Sequence, residues 1–406
     1  MARLNLDQLL EDLGRGEDLL LVQDLDGVCI PLVKDPLTRR MDQEYVLAAA
    51  ALEGNFVVLT NGEHEGRRGV NRLVETALGD SARAALEGLY LPGLAAGGVQ
   101  LQDRFGALSH PGVSSEEINF LATLPGRMHA ALDQRLISLM PQLTSAEREK
   151  QVQLAVLDTQ VSPTINLNGL FSLIPDDIEA QQKLQLMLEQ LMNELLAMAV
   201  HAGLSDSFFL HVAPNLGHDG QRERLKPAIP GDVGTTDIQF MLKGALKEAG
   251  LLVLINQHIA RRYGTAPLGS DFNARTAPHS HGELLELARA KINPTQMPLL
   301  IGVGDTVTSN QCLETGAWLR GGSDRGFLHL IQDLGQVFNR PNRVLLVDSS
   351  SGEVDRPSIE DERLLGISDP EDPLSFDVLI SSGPSGYVKW FSQLAKQFTA
   401  PQLAAD

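Results

Sequence analysis

Apolar residues follow two rhythms along this chain. Short unbroken runs at Leu19–Gln23, Asn55–Thr60, Leu299–Val303 and Arg343–Asp348, with a weaker one at Val378–Ile380, have the length and continuity of strands buried on both faces. Between them lie stretches of helical spacing. Continuous apolar strands alternating with helices predict an α/β fold with a doubly wound, mostly parallel sheet, Rossmann-like in plan. Three runs end on a polar residue followed by a turn: Asp24, Thr60 and Asp305. Ligands of such sheets bind outside the carboxyl ends of the strands, so these three ends are the expected site.

The middle of the chain breaks the pattern. The glycine-rich run from Pro92 to Asp103 reads as a turn leading into a strand. From about His110 to Asp232, helices and strands follow in irregular order. Ser114-x-x-Glu117 and Thr144-x-x-Glu147 are capping boxes. Leu184, Leu188, Leu191, Leu195 and Met198 recur at helical spacing and read as a core stripe. Ala155–Leu157 and Phe208–Val212 read as strands, and Asp237–Gly264 as a long helical segment. The expected division is a core of residues 1–105 and 236–406 and an inserted α/β lobe of residues 106–235. The tail from about Pro401 is expected to fray.

Composition narrows the function. Hydrophobic residues are 43% and charged residues 21% of 406, ordinary for a globular protein. Lys and Arg number 33 against 52 Asp and Glu, a formal charge of −19. Such a surface repels nucleic-acid backbones and anionic membranes, so neither is an expected partner. A small anion can still enter where local cations or a metal reverse the field. Two cysteines, Cys29 and Cys312, are too few for a disulfide framework, and with no signal-peptide pattern or membrane-length apolar run they point to the cytoplasm.

The chemistry lies in Gln23-Asp24-Leu25-Asp26-Gly27. Two carboxylates at a strand end, brought together by a turn at Gly27, suit phosphoryl transfer: one attacks phosphorus and the other moves the proton. A turn with solvated acids is an equal reading of this string alone. Leu59-Thr60-Asn61-Gly62 adds a hydroxyl and backbone amides that can hold phosphate oxygens. Gly302-Val303-Gly304-Asp305 adds a carboxylate which, beside Asp24, fits a hard, oxygen-bound Mg²⁺. Lys243 stands in the right chain order to neutralise charge between nucleophile and phosphate.

In this order Asp24/Asp26, Thr60, Lys243 and Asp305 resemble the four motifs of the haloacid dehalogenase superfamily of aspartate-nucleophile phosphatases. The long stretch between Thr60 and Lys243 is where that superfamily inserts an α/β cap. The strings QDLDGVC, VLTNGEHEGRRGV, HVAPNLG, GTTDIQFMLKGALKEAG and GVGDTVTSN narrow the resemblance to the cyanobacterial glucosylglycerol-phosphate phosphatase family. That resemblance implies hydrolysis of 2-O-α-glucosylglycerol 3-phosphate to the osmolyte glucosylglycerol in salt stress, through an aspartyl-phosphate. It implies Asp24 as nucleophile and metal ligand, and Asp26 as acid/base with its carbonyl on Mg²⁺. Thr60 and the Asn61 amide would bind phosphate, Lys243 would neutralise charge, and Asp305 would complete the metal site. An association with the upstream synthase is compatible with this role. Phosphatases of sucrose, trehalose or glucosylglycerate phosphate would carry the same four motifs. A non-catalytic sugar-phosphate-binding regulator would not need the Asp24/Asp26 pair.

One position departs from the superfamily pattern. Ser309 stands where many members have a second acid, which places Ser309 near the metal and puts metal affinity in question. Gly62, Glu63, His64 and Arg67 follow the phosphate loop and are candidate substrate contacts. His211 and Asn215 in the cap, and Asp237 where the cap rejoins the core, are candidates for reading hydroxyls. Ser323, Asp324 and Arg325 read as a helix cap, and His279 and His281 as a loop and helix start without further metal ligands.

Overall fold

Leu19–Gln23 (β1) is buried at every position, as a central strand covered on both faces must be. The computed structural model describes residues 3–13, 18–220, 222–312, 314–359 and 363–399, so the tail beyond Pro401 lies outside the described residues. Next come β2 (Phe56–Leu59), β3 (Gly93–Ala95), β4 (Gln100–Gln102) and β5 (Leu108–Ser109). The middle region supplies β6 (Val156–Leu157), β7 (Thr164–Asn166), β8 (Phe208–Ala213), β9 (Asn215–Asp219), β10 (Arg222–Leu225) and β11 (Asp237–Leu242). The chain finishes with β12 (Leu299–Gly304), β13 (Thr308–Gln311), β14 (Trp318–Gly321), β15 (Arg343–Val347) and β16 (Val378–Ile380).

The main sheet has the order β16-β15-β12-β1-β2-β3-β4-β5. Its strands from β16 to β3 are parallel, and β4 and β5 add an antiparallel edge. The register sets Gln23 of β1 beside Val58 of β2 and Val303 of β12. Asp24, Thr60 and Asp305 therefore leave neighbouring strands at nearly the same height. Helices cover both faces. On one, the Gln43–Ala51 and Gly383–Thr399 helices pack Tyr45, Val46, Trp390 and Phe391 against Leu19 and Leu21. On the other, the Lys247–Tyr263 and Arg325–Phe338 helices pack Leu251, Ile255, Phe327 and Ile331 against Leu20 and Val22. The alternation of Leu19 and Leu21 with Leu20 and Val22 between the two clusters is the strand period at work.

The inserted cap is a separate layer with its own core. Its sheet, ordered β6-β7-β11-β8, is antiparallel. Helices Leu124–Leu139, Ser145–Ala155 and Ile178–His201 cover one face, burying Leu184, Leu188, Leu191 and Leu195. Met198, the last residue of that expected stripe, is 38% exposed.

Two expectations are corrected here. Asp237–Leu242 is a strand, central in the cap sheet between β7 and β8, and the helix begins only at Lys247. Its alternation sends Ile238, Phe240 and Leu242 into the cap core while Asp237 and Gln239 face the opposite way. The cap therefore runs to Leu242 instead of 235. It also begins after Ser109 instead of 105, because β5 still pairs in the main sheet. Among the described residues, no helix is long and apolar enough to cross a membrane.

Phe391 is fully buried, with ring centroids 4.9 Å from Tyr45 and 5.1 Å from Phe56. Truncation leaves a cavity under β1 and β2. We expect Phe391→Ala to lower the unfolding free energy by about 3–5 kcal/mol. Urea denaturation followed by circular dichroism checks this, and an unchanged midpoint would contradict the packing described.

Candidate active site

The three strand ends converge as their register requires. Asp24 and Asp305, each under 9% exposed, meet a third carboxylate, the wholly buried Asp324. One oxygen from each lies within 4.8 Å of the others. Asp324 occupies the N-cap position of the Arg325–Phe338 helix yet makes no capping bond. Its Oδ2 accepts instead from the amides of Asp305 and Thr306, at 2.9 and 3.0 Å, and its Oδ1 faces Lys247. Gly27 has φ +82°, and a Cβ there would lie 2.1 Å from Asp305 Oδ2, so only glycine admits this carboxylate.

Lys247 ties the group together. Its ammonium donates to Asp24 Oδ2 and Asp324 Oδ1, each at 2.7 Å. Burial alone would favour the neutral amine, but the two carboxylates outweigh it and lift the pKa above the ordinary lysine value. The Leu25 amide donates to Asp24 Oδ1 at 2.8 Å, so both oxygens of Asp24 are held. Burial raises Asp24 to about 6 despite the Lys247 ammonium, with Asp324 adding to the rise. Burial, then the charges of Asp324 and Asp24, push Asp305 well above the usual carboxylate range. Asp305 Oδ2 is buried without a hydrogen-bond partner among the described residues. Three buried carboxylates, one of them with an orphaned oxygen, are a donor set that fits a hard divalent cation.

Asp24, Asp26, Thr60, Asn61 and Gly62 line one cleft between core and cap, together with Asp237, Gln239, Thr306, Ser323 and Arg356. Asp26 Oδ2 accepts from Arg39 at 2.7 Å. The cap's contribution is a polar sheet face: register pairs Gln239 with Thr164 and His211, and Asp237 with Asn166 and Ala213. Asn166 donates to Asp237 Oδ1 and Thr236 to Oδ2, both at 2.7 Å. Burial raises Asp237 against those two bonds. Gln239 Oε1 is buried with no partner among the described residues. Arg356 reaches Thr236 Oγ1 at 3.2 Å, placing a guanidinium at the junction of cap and core.

Other expected site residues are engaged differently, and Glu63 alone of them lines the cleft. Lys243 projects into solvent and pairs with Asp206 at 3.2 Å; Lys247, four residues onward at the start of the helix, is the lysine beside Asp24. His64 is fully buried behind the loop, against Gly93 and Gln102, and burial lowers its pKa to about 4. Arg67 is 60% exposed and faces Asp158 outside the cleft. Glu63 is committed to the cap: its carboxylate accepts from the amides of Gln160, Val161 and Ser162 and from the Ser162 hydroxyl, at 2.7–2.8 Å. His211 Nε2 meets Asn61 Nδ2 at 2.8 Å, and its Nδ1 meets Glu223 at 3.0 Å. Burial disfavours the charged imidazole, but Glu223 outweighs it and raises the pKa. Asn215 accepts from the amides of Gly217 and Gly322 in a neighbouring cavity, outside the cleft. Ser309 bonds Asp369 at 2.5 Å, away from the carboxylate group; Asp324 supplies the acid expected there.

The parallel core, the inserted cap and a carboxylate-lined cleft at the strand ends are the setting in which the site lies. A family model described as glucosylglycerol-phosphate phosphatase matches residues 18–395. A protein of that name from Synechocystis sp. PCC 6803 is 48% identical over 399 residues, covering 95% of this chain and 94% of its own. The chain belongs to the glucosylglycerol-phosphate phosphatase family. Among solved structures, the trehalose-6-phosphate phosphatase C-terminal domain of C. albicans superposes with a TM-score of 0.47 at 11% identity, covering 97% of both chains. The trehalose synthase regulatory protein C-terminal domain of Candida albicans scores 0.46 at 8% identity, covering 97% of this chain and 99% of its own.

The two lysines are separable by mutation. Lys247→Met should abolish turnover, by about a thousandfold or more, because it leaves Asp24 and Asp324 facing each other unshielded. Lys243→Met should leave kcat within about twofold, as a surface change does. Steady-state phosphate release on both variants checks this, and the reverse ranking would overturn the assignment.

Proposed function

We propose that this protein hydrolyses 2-O-α-glucosylglycerol 3-phosphate to glucosylglycerol and phosphate, with Asp24 as nucleophile. The observation that carries the reading is the convergence of Asp24, Asp305 and Asp324 around Lys247 beneath a polar cap face. An Asp24 oxygen attacks phosphorus, and the bond from phosphorus to the glycerol oxygen breaks. Asp26 gives that oxygen its proton. Asp26 then takes a proton from water as the water oxygen attacks phosphorus and the bond to Asp24 breaks. Thr60 and the loop amides after it bind the phosphate oxygens. Arg39 and Arg356 supply positive charge at the cleft, which a dianion needs to approach a chain of formal charge −19.

Mg²⁺ is the cation we assign to Asp24, Asp305 and Asp324, with the Asp26 carbonyl beside them. When bound it offsets the repulsion between those carboxylates and the phosphate. The cap reads the sugar: Gln239 Oε1 offers a free acceptor, while Thr164, Asn166, Asn168 and Asp237 offer hydroxyl partners. Two free cysteines, Cys29 buried, accord with the cytoplasm, where a glucosylglycerol-phosphate synthase would supply the substrate.

A phosphate-release panel tests the assignment. Glucosylglycerol 3-phosphate should exceed sucrose, trehalose and glucosylglycerate phosphates in kcat/KM by at least about a hundredfold, since mismatched hydroxyls leave Gln239 Oε1 buried and unpaired. Preference for another of these esters would reassign the substrate, and no release from any would return the regulator reading. Asp24→Asn should be inactive yet folded. EDTA should silence the wild type and Mg²⁺ restore it; full activity in EDTA would refute the metal assignment.

A further inference from the structure

A second ligand set lies outside the cleft, where sequence placed only a helix start. His281 is the first residue of the His281–Lys291 helix. His329 and Asp333 stand four apart on the Arg325–Phe338 helix, hence on one face. The helices pack so that His281 Nε2 lies 2.8 Å, and His329 Nε2 3.6 Å, from the same Asp333 Oδ2. The two imidazoles stack with centroids 4.5 Å apart, and one donor atom from each of the three residues lies within 4.8 Å of the others.

Two imidazoles crowded onto one carboxylate oxygen are a poor arrangement for ion pairs alone, since both histidines cannot be protonated without repelling each other. They are a good arrangement for a metal. Ligands about 2.0–2.1 Å from a tetrahedral centre are spaced roughly 3.3 Å apart, and 2.8 and 3.6 Å bracket that edge. His281 and His329 also line a cavity, of about 370 Å³, which leaves a fourth position open. Glu248 lines it too and adds negative charge; Gly326 makes room, because a Cβ there would lie 1.5 Å from the Glu248 carboxylate. The nearby cation Arg325 is already bound by Asp372 at 2.6 and 2.8 Å.

We propose that His281, His329 and Asp333 bind a borderline divalent metal of the Zn²⁺ class, which clamps the two helices together. Two nitrogens and one oxygen select against Mg²⁺, so this site is chemically distinct from the all-carboxylate centre. None of its three residues lines the catalytic cleft. The clamped helix is the one whose N-terminus carries Asp324, so the ion steadies the element that positions that carboxylate.

The test is a Zn²⁺ titration of the full chain, stripped with chelator and held in excess Mg²⁺ to fill the carboxylate centre. Wild type should bind one equivalent saturably and gain about 2–5 °C in Tm. His281→Ala/His329→Ala should bind at least about a hundredfold more weakly and lose the Tm gain. It should keep its Mg²⁺-supported phosphatase activity, which shows that it folds. Independently of any variant, Co²⁺ added to the wild type should give the intense visible band of a four-coordinate site, where an octahedral carboxylate site absorbs only weakly. No saturable Zn²⁺ binding in Mg²⁺, unchanged binding in the double variant, or only a weak octahedral Co²⁺ spectrum would each overturn the proposal.

Discussion

Three carboxylates buried within 4.8 Å of one another are the constraint on which the site depends. At an effective dielectric constant near 20, two such charges about 4 Å apart repel by roughly 4 kcal/mol. One lysine cannot balance three acids, and burial already pushes Asp24 and Asp305 upward. The arrangement holds because Lys247 bridges two of them and the amides of Leu25, Asp305 and Thr306 satisfy their oxygens. The remaining excess of negative charge is what the proposed divalent cation would offset. Asp24 is thereby fixed in orientation, as the proposed nucleophile role requires.

The cap is fastened to the loop after β2 by residues close to Thr60. Glu63, three residues after Thr60, uses its whole carboxylate on three cap amides and a hydroxyl. Asn61, one residue after Thr60, meets His211, which is in turn held by Glu223. On the far side Thr308 donates to the Asn215 carbonyl at 2.6 Å. The polar face of the cap sheet is thus held over the carboxylates by buried, charge-assisted bonds.

The strand-end residues were legible because a continuous apolar run fixes its own end, and parallel register aligns neighbouring ends. Asp24, Thr60 and Asp305 follow from that alone. Lys247 and Asp324 did not, because each begins a helix after a turn, where apolar period gives no position to within a residue. Asp237–Leu242 made this worse. Its apolar residues read as the start of a helix, and chain order alone selected Lys243; as a strand the segment ends at the surface, and the next turn brings Lys247 inward. His64, Arg67 and Ser309 follow strand ends that meet at the cleft, but in a turn the side-chain direction depends on local dihedrals that spacing does not reveal. Asp324 carried one signal, an acid after two glycines, which is also the signal of an ordinary helix cap.

The most direct measurement is the location of the phosphoryl group during turnover. Enzyme mixed with glucosylglycerol 3-phosphate and quenched in acid within milliseconds should yield a phosphorylated peptide containing Asp24, labile to hydroxylamine and absent from Asp24→Asn. Substrate consumed with the phosphoryl group on another residue would contradict the account. So would turnover in which no acyl-phosphate forms at any quench time while Asp24→Asn stays active.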